Sequence, residues 1–327
     1  MRKRRKFFSG VVNHIYQRTI DGSHLFYCVE DCLVFYTMFS VCAKAAEIEP
    51  MMLCIMHNHF HCLAKTQSRD KLSNFFDHFT AWYVREYNHH VGRKGKLLKK
   101  NFGSAPKWDE KRLRSCIIYI GNNPVEKQFC KRAQDYRWNF IAYARSSNPF
   151  SQKIIKRRIS YELSKSLKEV DVMHSLNLPL KYAQIIRLTE KLNDIEFEQF
   201  TDYVINLYLP FDYDELLSHF KSYESMLLAM ESTTGEEFDI QESRDSFSLE
   251  SFKEMMRHME KKMPRHTVRK ITTLSIDEKI EIYKELQKHT SATGQQICNF
   301  LHIKTEMHEK NEKHGDVRWK RKMHHAD

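Results

Sequence analysis

A histidine, one apolar residue and a second histidine stand in an apolar run, His59-Phe60-His61-Cys62-Leu63, directly after Met56-His57-Asn58. Side chains of an extended strand alternate between its faces, so His59 and His61 share one face while Phe60 and Cys62 take the other. One face can pack on a core, and the other presents two imidazole nitrogens that suit a divalent metal. Further on, Tyr119 and Asn123 lie four residues apart in a stretch of helical periodicity. On a helical wheel they share an edge with Arg112, beside an apolar stripe of Leu113, Cys116, Ile117 and Ile120.

Several elements must hold these groups. Residues 11–18 alternate and are β-branched or aromatic, which predicts a first strand. From Glu30 to Glu47, Leu33, Phe35, Met38, Phe39 and Cys42 recur at helical spacing, and Pro50 separates this helix from a short apolar strand, Met51 to Met56. His57-Asn58 is the tight turn to the partner strand, His59 to Ala64. Leu72 to Asn88 is a second amphipathic helix carrying Phe75, Phe76, Phe79, Tyr83 and Tyr87. Strand, helix, strand, strand, helix is the beginning of a ferredoxin-like α+β fold, an antiparallel sheet with helices on one face and the other open to a ligand. A basic loop follows from Gly92 to Gly103, with Arg93, Lys94, Lys96, Lys99 and Lys100; it suits either phosphate tracking or simple solvation. The helix bearing Tyr119 is expected from about Asp109 to Asn122, stopped by Pro124.

Charge is concentrated on this part of the chain. Of 53 Lys and Arg and 42 Asp and Glu, residues 1–150 hold 25 and 12, a net +13, and the remainder holds 28 and 30, a net −2. A domain so charged is expected to bind a polyanion, most often nucleic acid. No apolar run approaches the roughly 18 residues of a membrane span, and Met1 to Lys6 followed by Phe7-Phe8 is no signal peptide. Eight cysteines without a CxxC pair read as reduced, buried thiols of a cytoplasmic protein; Cys28 and Cys32, four apart, have no matching pair nearby.

The words around these residues resemble the single-tyrosine HUH transposases, especially the REP-associated branch. That family has His-x-His on a strand and then Tyr-Ile-x-x-Asn-Pro-Val on a helix, matched by Tyr119-Ile120-Gly121-Asn122-Asn123-Pro124-Val125. Asp135-Tyr136-Arg137-Trp138 is similar to its Asp-Tyr-Pro-Trp. The chain departs from the pattern at His57, where the family has proline, at Leu98-Lys99 in place of Trp-Gln, and at Glu126 in place of a basic residue. The resemblance implies that Tyr119 is a nucleophile and that His59, His61 and Asn123 hold Mg²⁺ or Mn²⁺. Cleavage of single-stranded DNA near a hairpin would then leave a 5′-phosphotyrosine. A phenol with a pKa of about 10 is a better leaving group than an alkyl hydroxyl, so the link is reversible. Arg112, Arg93, Lys94, Lys96, Lys99, Lys100 and Arg18 are the candidate DNA contacts. A homodimer, a cytoplasmic, nucleoid-associated location and no nucleotide cofactor complete the expectation. Two other readings remain: a catalytically inactive, domesticated protein that binds DNA hairpins, and an HUH replication initiator or relaxase, for which no P-loop is found.

The resemblance covers residues 10–145 or so, within an HUH domain drawn at 1–148. Residues 149–263 read as a helical accessory domain ending in an acidic linker, from Glu231 to Ser248. Ser275-Ile276-Asp277-Glu278 is a capping box opening a helix to about Gln287. After the turn Ser291 to Gly294, a second helix, Gln295 to Leu301, has Ile297, Phe300 and Leu301 inward. This makes 264–305 either a helix-turn-helix-like module or a plain helical hairpin. A basic tail, 306–327, is expected to be disordered, and its His324-His325 is too isolated for a metal site.

Overall fold

The computed structural model describes residues 9–100, 102–155, 157–232 and 248–303. The N-terminal basic run, most of the acidic linker and the basic tail with His324-His325 lie outside them. The first half folds as β1 (Val12–Arg18), α1 (Val29–Ala45), β2 (Glu49–Met56), β3 (His59–Lys65), α2 (Arg69–Val91), β4 (Gly103–Lys107) and α3 (Glu110–Glu126). The strands form one antiparallel sheet in the order β2-β3-β1-β4. This is the α+β, ferredoxin-like arrangement expected from the sequence. Met56 and His59 pair directly across the two-residue turn His57-Asn58. Pro50 lies within β2 at a register shift, which an edge strand tolerates because the missing N–H faces away from the ladder.

Alternation divides the sheet into two unlike faces. Ile15, Leu53, Ile55, Phe60, Cys62 and Ala64 pack against the aromatic stripes of α1 and α2. Val12, Met52, Cys54, Met56 and Leu63 take the other face, together with Leu113, Cys116, Ile117, Tyr119 and Ile120 of α3. The second face is therefore not open, as the topology alone suggested: α3 crosses it and buries it. Packing wins here because the apolar stripe of α3 and the apolar strand positions each need a partner.

One further expectation is corrected, the end of the tyrosine helix, and a fourth strand is added. The segment after the basic loop is a strand, because Gly103 to Lys107 extends the sheet along β1; Tyr16 pairs with Gly103 and covers it with its ring, which a Cβ would strike at 2.0 Å. The tyrosine helix runs through Pro124 to Glu126, with the N–H of Lys127 and Phe129 still bonded to the carbonyls of Asn123 and Pro124. Proline in a last turn costs less than in mid-helix, because few further helical bonds depend on it.

Packing is continuous across residue 148. Helices α4 (Tyr161–Ser175), α5 (Tyr182–Thr189) and α6 (Asp194–Leu207) share the core of α1 and α2. Helices α7 (Tyr213–Ser218) and α8 (Tyr223–Ser232) contribute Leu216, Met226 and Met230 to the core under α3. The drop in charge at residue 148 therefore does not mark a separate core. A distinct cluster joins α9 (Leu249–Glu260), a 3₁₀ segment (Arg265–Thr273), α10 (Ile276–His289) and α11 (Gly294–Leu301). It begins with α9, before the expected boundary at 264, because Met255, Met256 and Met259 pack on Ile297 and Phe300. The Ser275 capping box is formed, and Ile297, Phe300 and Leu301 are buried. Gly294, Gln295 and Asn299 are the half-buried positions of α11, and its remaining residues are buried.

Candidate active site

The histidine pair sits at the centre of the covered face. His59 and His61 lie on β3 opposite Arg18 and Tyr16 of β1 and Met56 and Cys54 of β2, so alternation aims both toward α3. Their rings are 5.0 Å apart and perpendicular. On α3, the N-cap Asp109 accepts from the N–H of Arg112 at 2.8 Å, and the helix so begun carries Tyr119 to within 5.7 Å of the His61 ring, edge to face. Asn123 follows one turn later, fully buried, and neither its Oδ1 nor its Nδ2 has a hydrogen-bond partner among the described residues. The structure thus gathers His59, His61 and Tyr119 under one helix and leaves the Asn123 amide unsatisfied beside them on the chain.

Gly121 is explained by packing rather than by chemistry. A Cβ there would meet the Met230 methyl at 2.4 Å and Ile141 at 3.0 Å, so the roughly 1 kcal/mol that glycine costs a helix lets α8 lie close over α3. The Asp135-Tyr136-Arg137-Trp138 word is likewise structural. Tyr136 donates its hydroxyl to the Ile55 carbonyl at 2.7 Å, and Arg137 pairs with Glu198 and Asp202 of α6.

A neighbouring amide sets the tautomer of His59. Asn58 uses its Nδ2 to donate to the Gly22 carbonyl at 3.0 Å, so its Oδ1 accepts from Nδ1 of His59 at 2.7 Å. The imidazole lone pair of His59 is then on Nε2. Nδ1 of His61 meets Nε2 of His14 at 3.0 Å. His14 was missed in the sequence as a site residue. Its signal was available: on β1 it shares a face with Val12 and Tyr16, and β1 is the neighbour of β3 in a ferredoxin-like order.

The residues present fit a divalent ion in part. Two imidazoles and an amide oxygen make a small set that suits Mn²⁺ or Mg²⁺ when phosphate or water completes the shell. Among the described residues no three His, Cys, Asp or Glu side chains group as a metal site, so a protein-only cage is absent there. The Asn123 amide, buried and unsatisfied, is the observation that favours a ligand.

The other candidates are placed less centrally. Arg112 is exposed, paired with Asp109 at 3.1 Å and stacked on Trp108 at 4.8 Å, while Tyr119 is buried, so the shared edge of the wheel does not bring them together. Arg93 donates to Asn88 and to the carbonyls of Gly95 and Lys96, which closes the turn after α2. Lys94, Lys96, Lys99 and Lys100 are exposed, and Lys99 is tied through its backbone to Arg18 and Gln17 at the end of β1. His57 is a turn residue, its carbonyl accepting from Leu25 and Phe26; burial first, then the neighbouring His24 and His59, push its imidazole well below the usual range. Tyr83 and Tyr87, the competing tyrosines, lie in the core of the opposite face, where burial drives both phenols up. All eight cysteines are free thiols, seven of them buried. No described helix is long and apolar enough to cross a membrane.

No family model matches the sequence, and no curated protein matches it. Among solved structures, the chain is similar to a REP-associated tyrosine transposase bound to a REP hairpin. The identity is 16%, over 42% of this chain and 81% of the other, with a TM-score of 0.36. A likeness that slight decides neither the fold nor the activity.

Proposed function

We propose that this chain is a single-tyrosine DNA strand transferase of the HUH type, which cleaves and rejoins single-stranded DNA beside a hairpin and works as a dimer. The observation that carries the reading is the meeting of Tyr119 with His61, whose ring in turn abuts His59, brought together from a helix and a strand far apart in sequence. Tyr119 Oη attacks the scissile phosphorus and gives up its proton to water. The bond from phosphorus to the 3′ oxygen breaks, and that oxygen leaves and takes up a proton. The product is a 5′-phosphotyrosine and a free 3′-OH, which reverses the step without ATP because the phosphodiester energy is kept in the link. His59, His61 and Asn123 would hold Mg²⁺ or Mn²⁺, which when bound polarises the phosphate and offsets charge on the leaving oxygen. Lys94, Lys96, Lys99 and Lys100, exposed beside Arg18, would follow the DNA backbone, and affinity should fall steeply with salt.

A second reading has its own support. His59, His61 and Asn123 are almost wholly buried and Tyr119 is only 6% exposed, so a phosphate reaches the phenol only after the shell around α3 opens. A hairpin-binding protein without catalysis needs no such opening. Hairpin-bearing single-stranded DNA from the flanks of the gene, mixed with Mn²⁺ and run on a denaturing gel, separates the two. A covalent adduct that is lost in Tyr119→Phe and in chelator supports the transferase. Binding without an adduct, unchanged in Tyr119→Phe, would leave the hairpin-binding protein.

A further inference from the structure

His14 is completely buried on β1, in the same layer of side chains as His61, and its Nε2 lies 3.0 Å from Nδ1 of His61. Their rings are 5.2 Å apart, and the His14 ring also stands 6.1 Å from Tyr119, edge on. Two imidazole nitrogens at that distance share one proton, and the direction of the bond follows from what each ring must do. A nitrogen that binds a metal is unprotonated. Nδ1 of His61 faces His14, so an ion would be taken by Nε2, and the proton of the metal-binding ring would then sit on Nδ1. His61 is therefore the donor and His14 the acceptor, with the proton of His14 on its own Nδ1.

The same logic already governs the other histidine, whose Nδ1 donates to Asn58 at 2.7 Å. Among the described residues each of the two rings meets an outer partner: an amide oxygen from the preceding turn for His59, and an imidazole from the neighbouring strand for His61. Outer partners of this kind set which nitrogen is presented and in what orientation. We infer that His14 is a positioning residue that fixes the tautomer and the aim of His61 through the Nδ1–Nε2 hydrogen bond. The inference rests on the metal reading proposed above for the ligand role of His61, but the hydrogen bond and the tautomer it fixes can be tested without a metal.

The experiment uses the full chain in two variants. His14→Phe keeps a flat ring and removes the acceptor; His14→Gln places a carbonyl oxygen at about the reach of the lost Nε2. A thermal melt first establishes that both fold. Nitrogen-15 NMR of histidine-labelled metal-free protein then reads the tautomer of His61, and calorimetric titration with Mn²⁺ reads the affinity. The wild type and His14→Gln should show His61 protonated at Nδ1, and His14→Phe a mixture of tautomers. Mn²⁺ affinity in His14→Phe should fall by roughly 10- to 100-fold, the usual cost of losing an outer partner, and His14→Gln should recover most of it. An unchanged His61 tautomer in His14→Phe would overturn the inference, as would an affinity loss in His14→Gln as large as in His14→Phe. If the tautomers respond as expected while wild-type protein binds no Mn²⁺, the metal reading fails and the positioning of His61 by His14 stands.

Discussion

Two buried polar clusters of this molecule are built on opposite terms. In one, Asp31 of α1 faces Arg269 of the C-terminal unit, both fully enclosed. Asp31 also accepts from the N–H groups of Tyr27 and Cys28, at 2.8 and 3.1 Å, and from the Tyr182 hydroxyl at 2.8 Å. Arg269 donates to the His266 carbonyl and lies over the Tyr182 ring at 4.5 Å; although burial opposes its charge, the facing carboxylate holds it protonated. In the other region, at α3 over the His61 face of the sheet, the Asn123 amide has no hydrogen-bond partner among the described residues. A buried charge met by several donors from three regions of the chain is a joint. A buried amide without a partner among the described residues, one turn along its helix from Tyr119, leaves its desolvation cost unmet.

Acid should separate the two clusters most strongly. At the joint, burial lowers His24 to about 4 and His302 to about 3, against an ordinary 6.5, and Nε2 of His302 donates to the His24 carbonyl at 2.6 Å. Both folded values lie below the unfolded one, so the stability these rings contribute is fully present above pH 6.5 and is lost as the pH falls toward 4. Each ring adds a slope of about 1.4 kcal/mol per pH unit in that window, so urea unfolding at pH 7 and 4.5 should differ by on the order of 5 kcal/mol. A flat profile would show that these rings become accessible to protons while the protein stays folded, and the joint would then be looser than its burial implies.

Arg269→Met breaks the same joint at neutral pH. Asp31 would stay buried without its cation, a loss of about 3–5 kcal/mol in unfolding free energy. The double variant Asp31→Asn, Arg269→Met removes both charges and should recover most of it. Equal losses in the single and double variants would mean that packing by the Arg269 side chain, rather than charge pairing, holds the C-terminal unit on α1.

Local pattern carried much of this structure, and distance in the chain marks where it stopped. The alternation of β1 and β3, the stripe of α3 and the Ser275 capping box each depend on neighbours a few residues away, and each formed within a few residues of its expected place. Strand β4 has no strand-like composition in Gly103-Ser104-Ala105-Pro106-Lys107; it exists because the edge of β1 was unpaired and the Tyr16 ring covers its glycine. Composition and periodicity read residues 149–263 as helical, but not that the first half of the chain supplies the surface on which α4 to α8 pack. The Asp31–Arg269 pair joins residues 238 apart, and no local word announces it. At the candidate site, His59 and His61 were legible from their spacing, and Tyr119 and Asn123 from a family word. His14 and the burial of the whole group needed the neighbouring strand and the covering helix.

Asn123→Leu gives the smallest effect and the sharpest contrast with the joint. Leucine has nearly the shape of asparagine and no polar atoms, and a buried amide without partners carries a desolvation cost that no hydrogen bond offsets. If the amide serves only a ligand, its removal should leave the metal-free protein as stable as before or more so by about 1 kcal/mol, seen as a melting temperature that holds or rises. Removing Arg269 from the ion-paired cluster has the opposite sign. Adding Mn²⁺ should then raise the melting temperature of the wild type and not that of Asn123→Leu, since only a group that binds the folded state shifts it. A loss of stability in metal-free Asn123→Leu comparable to that of Arg269→Met would show the amide already bonded inside the protein, and the two clusters would be structural joints alike.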